Sequence, residues 1–332
     1  MTSKAVFLSL LALLVCACSP AVVIEPAGER KIGDQEVQVE EIQFRSGKFK
    51  VVGDLLIPKD GERHPAIIMV HGDGPALRSG AVPFGPTMEI FLRHGFAVFS
   101  WDKPGSGEST GEINNALTQR ADILVDGIEV LIEHPAIDPD QIGVWGISQA
   151  GWVMPLALEQ SDEIDFMVVV SGGAEDSIEQ GAYYVGQQVI ELGGTEEQAA
   201  LVDKYYSQYR KASSYEEYRE AIEVLVSIPQ LQNQYQFEIA EERQWKPLSR
   251  KFDAFIDPMD IIVRTTIPVL AFFGELDKNI DPVQGAEAYE VALQKAGNEH
   301  YQIITIPDVE HVFVTSPRYL EPLEAWLQQL EP

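Results

Sequence analysis

Residues 141–151 read QIGVWGISQAG, and this stretch decides the fold. An apolar run ends at Ser148, and residues 151–159 then show helical periodicity. A strand that turns sharply into a helix needs small residues two positions before and after the serine, because larger side chains would clash there. Gly146 and Ala150 meet this need. The stretch therefore predicts a strand, a tight turn that exposes the Ser148 hydroxyl, and a helix. An ordinary serine at a helix N-terminus is the alternative.

Apolar runs of similar length lie on both sides of this stretch. They do not alternate with polar residues and are separated by helix-sized segments, as in strands buried on both faces of a parallel sheet. The runs cover residues 66–70, 96–101, 166–170, 268–273 and 301–306, and helical periodicity covers residues 117–134, 283–296 and 319–330. Before them, residues 36–45 and 49–57 read as a β-hairpin. We predict a doubly wound, mostly parallel α/β sheet with an antiparallel N-terminal hairpin.

Residues 174–264 interrupt the alternation of strands and helices. They contain no strand signal and hold eight of the chain's 11 tyrosines. A segment this long is not a loop of a compact domain, so we predict an inserted helical cap between core segments 36–173 and 265–332. Most of its tyrosines are expected to pack the interior of the cap, with a lining role in a pocket as the alternative.

The N-terminus has the pattern of a secretory signal. Lys4 precedes an apolar stretch over residues 5–17, which is short for a bilayer crossing and typical of a signal peptide. A small residue directly before Cys18 resembles a bacterial lipobox, which implies acylation of Cys18 and a cell-envelope lipoprotein. Residues 18–35 then read as a tether. Cleavage near Ser19 without acylation is the alternative.

The charge of the chain limits its partners. The sequence has 24 Lys and Arg against 52 Asp and Glu, a formal net charge of −28. Such a surface repels phosphate backbones and anionic headgroups, so we expect no nucleic-acid partner, and a membrane partner only through the lipid anchor. With two cysteines, both near the N-terminus, neither a disulfide framework nor a cysteine-based metal site is expected.

A serine hydroxyl needs a base and an acid that orients the base. His311 follows the last predicted strand and Asp277 follows the preceding one, so the carboxyl ends of the sheet place both near Ser148. The order serine, acid, histidine is the one expected for this type of sheet. Asp281 is the nearest rival acid, but Pro282 beside it marks a helix start. Asp308 and Glu310 are weaker rivals, because they lie too close to His311 in sequence.

Acyl transfer also needs donors for the developing oxyanion. The backbone N–H of Gln149, at the helix N-terminus, is the first candidate. The loop over residues 71–74, which reads HGDG, offers the backbone N–H of Asp73 as the second. A glycine turn without this role is the alternative.

Five stretches together resemble a known family. They are HGDGP (71–75), WDKPGSGES (101–109), GISQAG (146–151), GELD (274–277) and EHVF (310–313). The chain is similar to bacterial serine esterases and hydrolases near the dienelactone-hydrolase and prolyl-oligopeptidase-like branch of the α/β-hydrolases. Pro104 stands where an arginine is common, and Ala150 where glycine is common. The resemblance implies the α/β-hydrolase fold and no metal or organic cofactor.

The residues and the resemblance together predict a serine hydrolase that cleaves a small-molecule carboxylic ester through an acyl-enzyme. Ser148 would attack, His311 would transfer the proton and Asp277 would orient His311. A peptidase or a thioesterase with the same triad is the alternative enzyme. A non-catalytic envelope lipoprotein that binds a ligand is the alternative of another class.

Overall fold

The computed structural model describes residues 22–78, 84–113, 116–235, 237–248 and 253–330. The predicted signal peptide (1–17) and the predicted acylation site, Cys18, lie outside this part of the chain. Within the described residues, no helix combines the length and the apolar character that a bilayer crossing requires.

One nine-stranded sheet organises the chain. Its strands are β1 (Val23–Ile32), β2 (Gln35–Ser46), β3 (Phe49–Pro58), β4 (His64–Val70), β5 (Ala97–Trp101), β6 (Ile137–Ile147), β7 (Phe166–Val170), β8 (Val269–Gly274) and β9 (Tyr301–Ile306). Their spatial order is β1-β2-β3-β5-β4-β6-β7-β8-β9. β1, β2 and β3 pair antiparallel and β3 joins β5 antiparallel, whereas β4 to β9 are parallel to one another. The predicted mostly parallel α/β sheet is confirmed.

The prediction of a tether over residues 18–35 is wrong for residues 23–32, because they form β1 and pair with β2. Pro26 and Gly28 suggested a loop, but the pairing register shifts between them, so they sit at a bulge of an edge strand. Proline has no N–H to donate to a sheet. It is tolerated in an edge strand because no further strand on the outer side needs that hydrogen bond. The residues of β1 are exposed on both faces, so the strand carries no alternating apolar signal.

Ten α-helices accompany the sheet in the described part of the chain. They are α1 (Gly85–Arg93), α2 (Leu117–Ile132), α3 (Ala150–Leu158), α4 (Ser177–Glu191), α5 (Glu196–Lys211), α6 (Tyr215–Val226), α7 (Pro229–Tyr235), α8 (Met259–Ile262), α9 (Pro282–Ala296) and α10 (Pro317–Leu330). A short 3-10 helix covers Asp253–Phe255.

The sheet separates two apolar cores because successive side chains of a strand point to opposite faces. In β4, Ile68 packs with α2, α3 and α9, whereas Ile67 packs with α1 and α10. The strands from β4 to β8 are almost fully buried apart from residues 138–141 at the start of β6, which explains their unalternated apolar sequences.

The segment between β7 and β8 forms a third apolar cluster, built from α4, α5, α6 and α7. Two of its helices begin with reciprocal capping boxes, Thr195 with Gln198 and Ser214 with Glu217. Most of the tyrosines there pack this cluster, as expected, with Tyr218 fully buried at its centre. The last helix of the predicted cap segment differs, because α8 packs into the main core beside α3 and α9.

Candidate active site

The turn between β6 and α3 places Ser148 at the carboxyl edge of the sheet. Its φ of 58° lies in the left-handed region, which a non-glycine residue adopts only where the surroundings hold it. A hydrogen bond of 2.9 Å from Ser148 N to Val170 O fixes the turn to β7. A Cβ on Gly146 would lie 2.5 Å from the Ala150 Cβ. The methyl group of Ala150 is accommodated because Gly146 has no side chain.

The loop after β4 lies against this turn. A Cβ on Gly72 would come within 3.3 Å of both Ile147 O and Ser148 Cβ. Asp73, the next residue, lines the same cavity as Ser148 and Gln149. Within the described part of the chain, neither the Asp73 N–H nor the Gln149 N–H has a hydrogen-bond acceptor. Two unengaged amides therefore flank the serine.

Asp277 follows β8 and is buried, with 2% of its surface exposed. Its Oδ1 accepts hydrogen bonds from Asn279 N at 2.8 Å and Ile280 N at 3.1 Å. Its Oδ2 lies 2.8 Å from His311 Nδ1. The two backbone partners of this carboxylate are donors, and the His311 tautomer with its proton on Nδ1 is the one that completes the contact at Oδ2.

The loop that carries His311 is tied to the loop that carries Asp277. Leu276 N donates to Val309 O at 2.9 Å, and a Cβ on Gly274 would collide with Glu310 O at 2.5 Å. Asp308 has a φ of 56° and makes the turn that returns the chain towards β8. The two segments meet because β8 and β9 are parallel neighbours whose carboxyl ends share one edge.

Two of the three rival acids, Asp281 and Asp308, are engaged elsewhere. Asp281 caps α9 by accepting hydrogen bonds from Val283 N and Gln284 N. Asp308 pairs with Arg318 at 3.2 Å. Asp277 is therefore the acid that contacts His311.

A cavity of about 850 Å³ lies above Ser148. The core contributes Asp73, Gln149 and Trp152 to its wall. Cap residues also line it, among them Gln180 and Tyr184 of α4. Asn279 and Ile280, whose amides bind Asp277, also line it. The cavity therefore reaches the loop that holds Asp277, although neither Asp277 nor His311 lines it.

Ser148 and His311, both described, form no hydrogen bond with each other in this structure. Their strands are separated by β7 and β8 in the sheet. Hydrogen bonds of catalytic groups are often long without substrate and tighten in its complex. The structure thus brings together the acid and the base, and separately the serine and the two amides.

Helix α4 of the cap contacts the loop of Asp277. The Tyr183 hydroxyl donates to Asp277 O at 2.7 Å, and Gln180 Nε2 donates to Asn279 O. Burial and the nearby carboxylates of Asp281 and Asp277 raise the pKa of Tyr183 to about 12, so this hydroxyl remains a donor at neutral pH. These contacts were not foreseen from the sequence, because the cap shows no motif.

Sequence reasoning also gave no role to two cations beneath the serine. Lys103 and Arg120 have only 3% and 5% of their surfaces exposed. Burial and the charge of Arg120 lower the pKa of Lys103 to about 7, and burial lowers that of Arg120 to about 10. Arg120 lies on the apolar stripe of α2, with Leu117, Ala121 and Leu124. A charged residue on such a stripe is the signal that would have identified it.

His71 begins the loop after β4 and is fully buried between Phe84 and Trp101. Its Nε2 lies 2.7 Å from Trp101 O, so this nitrogen carries the proton. Burial lowers the pKa of His71 to about 4, with the charges of Arg120 and Lys103 acting in the same direction. The ring is therefore a neutral structural support of the loop.

Among the residues that the structure describes, no group of three or more His, Cys, Asp or Glu side chains is arranged to hold a metal ion.

Comparison with known proteins adds a family to this geometry. Residues 47–311 match the family described as X-Pro dipeptidyl-peptidase (S15 family). A thiohydrolase, aneE of Aspergillus aculeatus, is 30% identical over 122 residues, which is 36% of each chain. An uncharacterised 31.7 kDa protein of Escherichia coli is 28% identical over 113 residues and 38% of its length. The match thus spans little more than a third of these relatives.

Solved structures share the architecture over most of the chain. Acetyl xylan esterase 1 of a Thermoanaerobacterium species superposes with a TM-score of 0.58 at 17% identity, over 95% of this chain and 89% of that one. The Pyrococcus furiosus esterase Pf2001 gives 0.59 at 16% identity, over 88% and 91%. At these identities the likeness concerns the fold, which is that of the α/β-hydrolases.

Proposed function

The chain belongs to the X-Pro dipeptidyl-peptidase family (S15), and we propose that it is a serine hydrolase that cleaves carboxylic esters through an acyl-enzyme on Ser148. The observation that carries this proposal is the 2.8 Å contact of His311 Nδ1 with buried Asp277, at the sheet edge that also holds the strained Ser148 turn. An oriented imidazole at the same sheet edge as a serine hydroxyl is the pair of groups that nucleophilic catalysis requires.

Each group has one role in the proposed reaction. His311 Nε2 takes the Ser148 proton as Oγ attacks the ester carbonyl carbon, and Asp277 stabilises the imidazolium. The Asp73 and Gln149 amides donate to the oxyanion. The imidazolium then protonates the departing alcohol. Water, deprotonated by His311, attacks the acyl-enzyme and releases the carboxylic acid and free Ser148.

An ester is proposed over an amide because its alcohol leaves more readily than an amine, so the bond makes the smaller demand on the site. The two solved structures of similar fold described above are named as esterases, which agrees with this choice. The family description names a peptidase and one relative is named a thiohydrolase, so amide and thioester bonds are the competing substrates.

The test compares wild type with Ser148→Ala on a matched series of acetyl and butyryl p-nitrophenyl esters, thioesters and aminoacyl anilides. We expect turnover of esters with the highest kcat/KM and labelling of wild type, but not of the variant, by a fluorophosphonate. Hydrolysis unchanged in Ser148→Ala would disprove the mechanism. Faster anilide or thioester turnover would reassign the bond. No turnover and no labelling would favour the ligand-binding alternative.

We also propose that the protein is a cell-envelope lipoprotein acylated on Cys18. Support comes from Lys4, the apolar residues 5–17 and the small residue before Cys18. Expression with Cys18→Ser as the control tests it. We expect wild type in the membrane fraction with a diacylglyceryl mass on its first residue, and the variant in the soluble fraction. An unmodified N-terminus at Ser19 would show simple secretion.

A further inference from the structure

The amide of Asp73 is held from behind by a buried lysine. Lys103 Nζ donates to Gly72 O at 3.0 Å and to Gly74 O at 2.6 Å, the two carbonyls that flank Asp73 in the chain. The Gly72 carbonyl and the Asp73 N–H belong to one peptide unit. A trans peptide is planar, so its C=O and N–H point in opposite directions. Because Lys103 binds the Gly72 carbonyl, the Asp73 N–H points away from the lysine.

The side chain of Gln149, whose backbone N–H is the other donor, is connected to the same loop through Arg120. This guanidinium, from α2, donates to His71 O with one nitrogen and to the Gln149 side-chain oxygen with another. The contacts join residues 49 and 29 positions away from Arg120. A planar guanidinium holds two acceptors in a fixed relation, which a lysine ammonium does not do.

Two adjacent buried cations are costly. Their burial lowers the pKa of both Lys103 and Arg120, and each charge is unfavourable to the other. Asp73 is the carboxylate that opposes this repulsion, and it is exposed at the cavity. Neutral donors to the same carbonyls would avoid the desolvation cost of burying two basic groups side by side. Positive charge behind the amides is an advantage where negative charge develops in front of them.

We infer that Lys103 and Arg120 are positioning residues that orient the Asp73 and Gln149 amides as one rigid donor pair facing Ser148. This role rests on the proposed function, since it serves the oxyanion of acyl transfer. Lys103 sets the direction of the Asp73 peptide, and Arg120 fixes the distance between the two donors. Neither side chain touches the substrate.

The test uses Lys103→Met, Arg120→Lys and Gln149→Ala, with Asn298→Ala as the control. Asn298 is also buried and also donates to two carbonyls, Thr265 O at 3.0 Å and Ile267 O at 2.8 Å, but on the far side of the domain. Gln149→Ala removes only a half-exposed side chain, so it tests the Arg120 link even if a cation variant fails to fold.

Active sites are counted by fluorophosphonate titration before kcat and KM are measured. We expect Lys103→Met to lower kcat about 10²-fold, the scale of one lost oxyanion donor, with KM within about threefold. Arg120→Lys and Gln149→Ala should lose about tenfold, and Asn298→Ala should match wild type. Inhibition by a trifluoromethyl ketone, which forms the oxyanion, should weaken in parallel with kcat/KM, whereas inhibition by the corresponding alcohol should not change.

Two results would overturn the inference separately from the proposed function. If wild type hydrolyses esters and Lys103→Met and Gln149→Ala keep kcat within threefold, the positioning role fails and the ester hydrolase stands. If the ketone and the alcohol weaken equally, the residues act on general structure alone. If wild type neither hydrolyses nor labels, both proposals fail together.

Discussion

The hydroxyl of Tyr183, in the first helix of the cap, donates a hydrogen bond of 2.7 Å to the backbone carbonyl of Asp277. The carboxylate of the same aspartate contacts His311 at 2.8 Å. The cap therefore does more than cover the cavity, because it holds the residue that orients the proposed base. The cap and the Asp277–His311 pair are thus connected through the backbone carbonyl of Asp277.

Removing this hydroxyl should affect catalysis modestly. Tyr183→Phe deletes one hydrogen bond worth about 1 kcal/mol, so we expect kcat/KM for an ester to fall about fivefold. Steady-state kinetics measure this. The control is Tyr215→Phe, whose hydroxyl donates to Ala240 O at 2.9 Å inside the cap. Equal losses in the two variants would show that the effect comes from cap stability.

The acid next to His311 should be required for fast turnover. Asp277→Asn keeps the shape of the side chain but favours the wrong imidazole tautomer, so we expect kcat to fall about 10³- to 10⁴-fold. Asp281→Ala removes the side chain that N-caps α9. We expect it to lower the unfolding free energy by about 1 kcal/mol while kcat stays within about threefold. Near-normal kcat in Asp277→Asn together with an inactive Asp281→Ala would reverse the assignment of the acid.

The turn at Ser148 should not tolerate a methyl group at Gly146. A Cβ there would lie 2.5 Å from the Ala150 Cβ. We expect Gly146→Ala to lower the unfolding free energy by about 1–3 kcal/mol through overpacking, and to lower kcat as the turn shifts. Urea denaturation measures the first effect. Gly127 lies inside α2, and in Gly127→Ala the new Cβ meets only the rings of Phe99 at 3.5 Å and Phe44 at 3.7 Å, which are ordinary contact distances. That control should gain up to about 1 kcal/mol from helix propensity.

Stability should fall in mild acid because of His71. The pKa of His71 is about 4 in the folded chain, against an ordinary value of 6.5. Between pH 6.5 and pH 4 the unfolded state therefore binds a proton at this residue that the folded state does not bind. The unfolding free energy should lose about 2 kcal/mol between pH 7 and pH 4.5 from this group. His71→Gln cannot bind this proton, but it has the same acidic groups as wild type, so their titration affects both proteins equally. Urea titrations of both proteins at the two pH values should differ by that amount; identical pH dependence would exclude the assignment.

Local sterics explain why the turn was predictable from sequence. Gly146, Ser148 and Ala150 are neighbours in the chain, and the clash that selects small residues acts within five positions. The parallel strands were predictable because burial on both faces leaves continuous apolar runs. Asp277 and His311 followed from chain order, since every strand of such a sheet ends at the same edge.

β1 and the cap contacts were not predictable in this way. β1 is exposed on both faces, so its apolar and polar residues follow no burial pattern, and Pro26 at its bulge suggests a loop. Tyr183 is one of many cap tyrosines, and nothing local separates it from those that pack the interior of the cap.

The sequence by itself determined the sheet, the serine turn and the meeting of Asp277 with His311, the acid and the base that we propose, because each depends on short-range sterics or on the order of strands. Only the tertiary structure decided what lies behind the serine. Lys103 and Arg120 reach carbonyls far away in the chain, and those contacts exist only once the sheet and α2 have packed. Contacts between side chains and distant elements depend on how the helices and strands pack, and a local sequence pattern does not predict this.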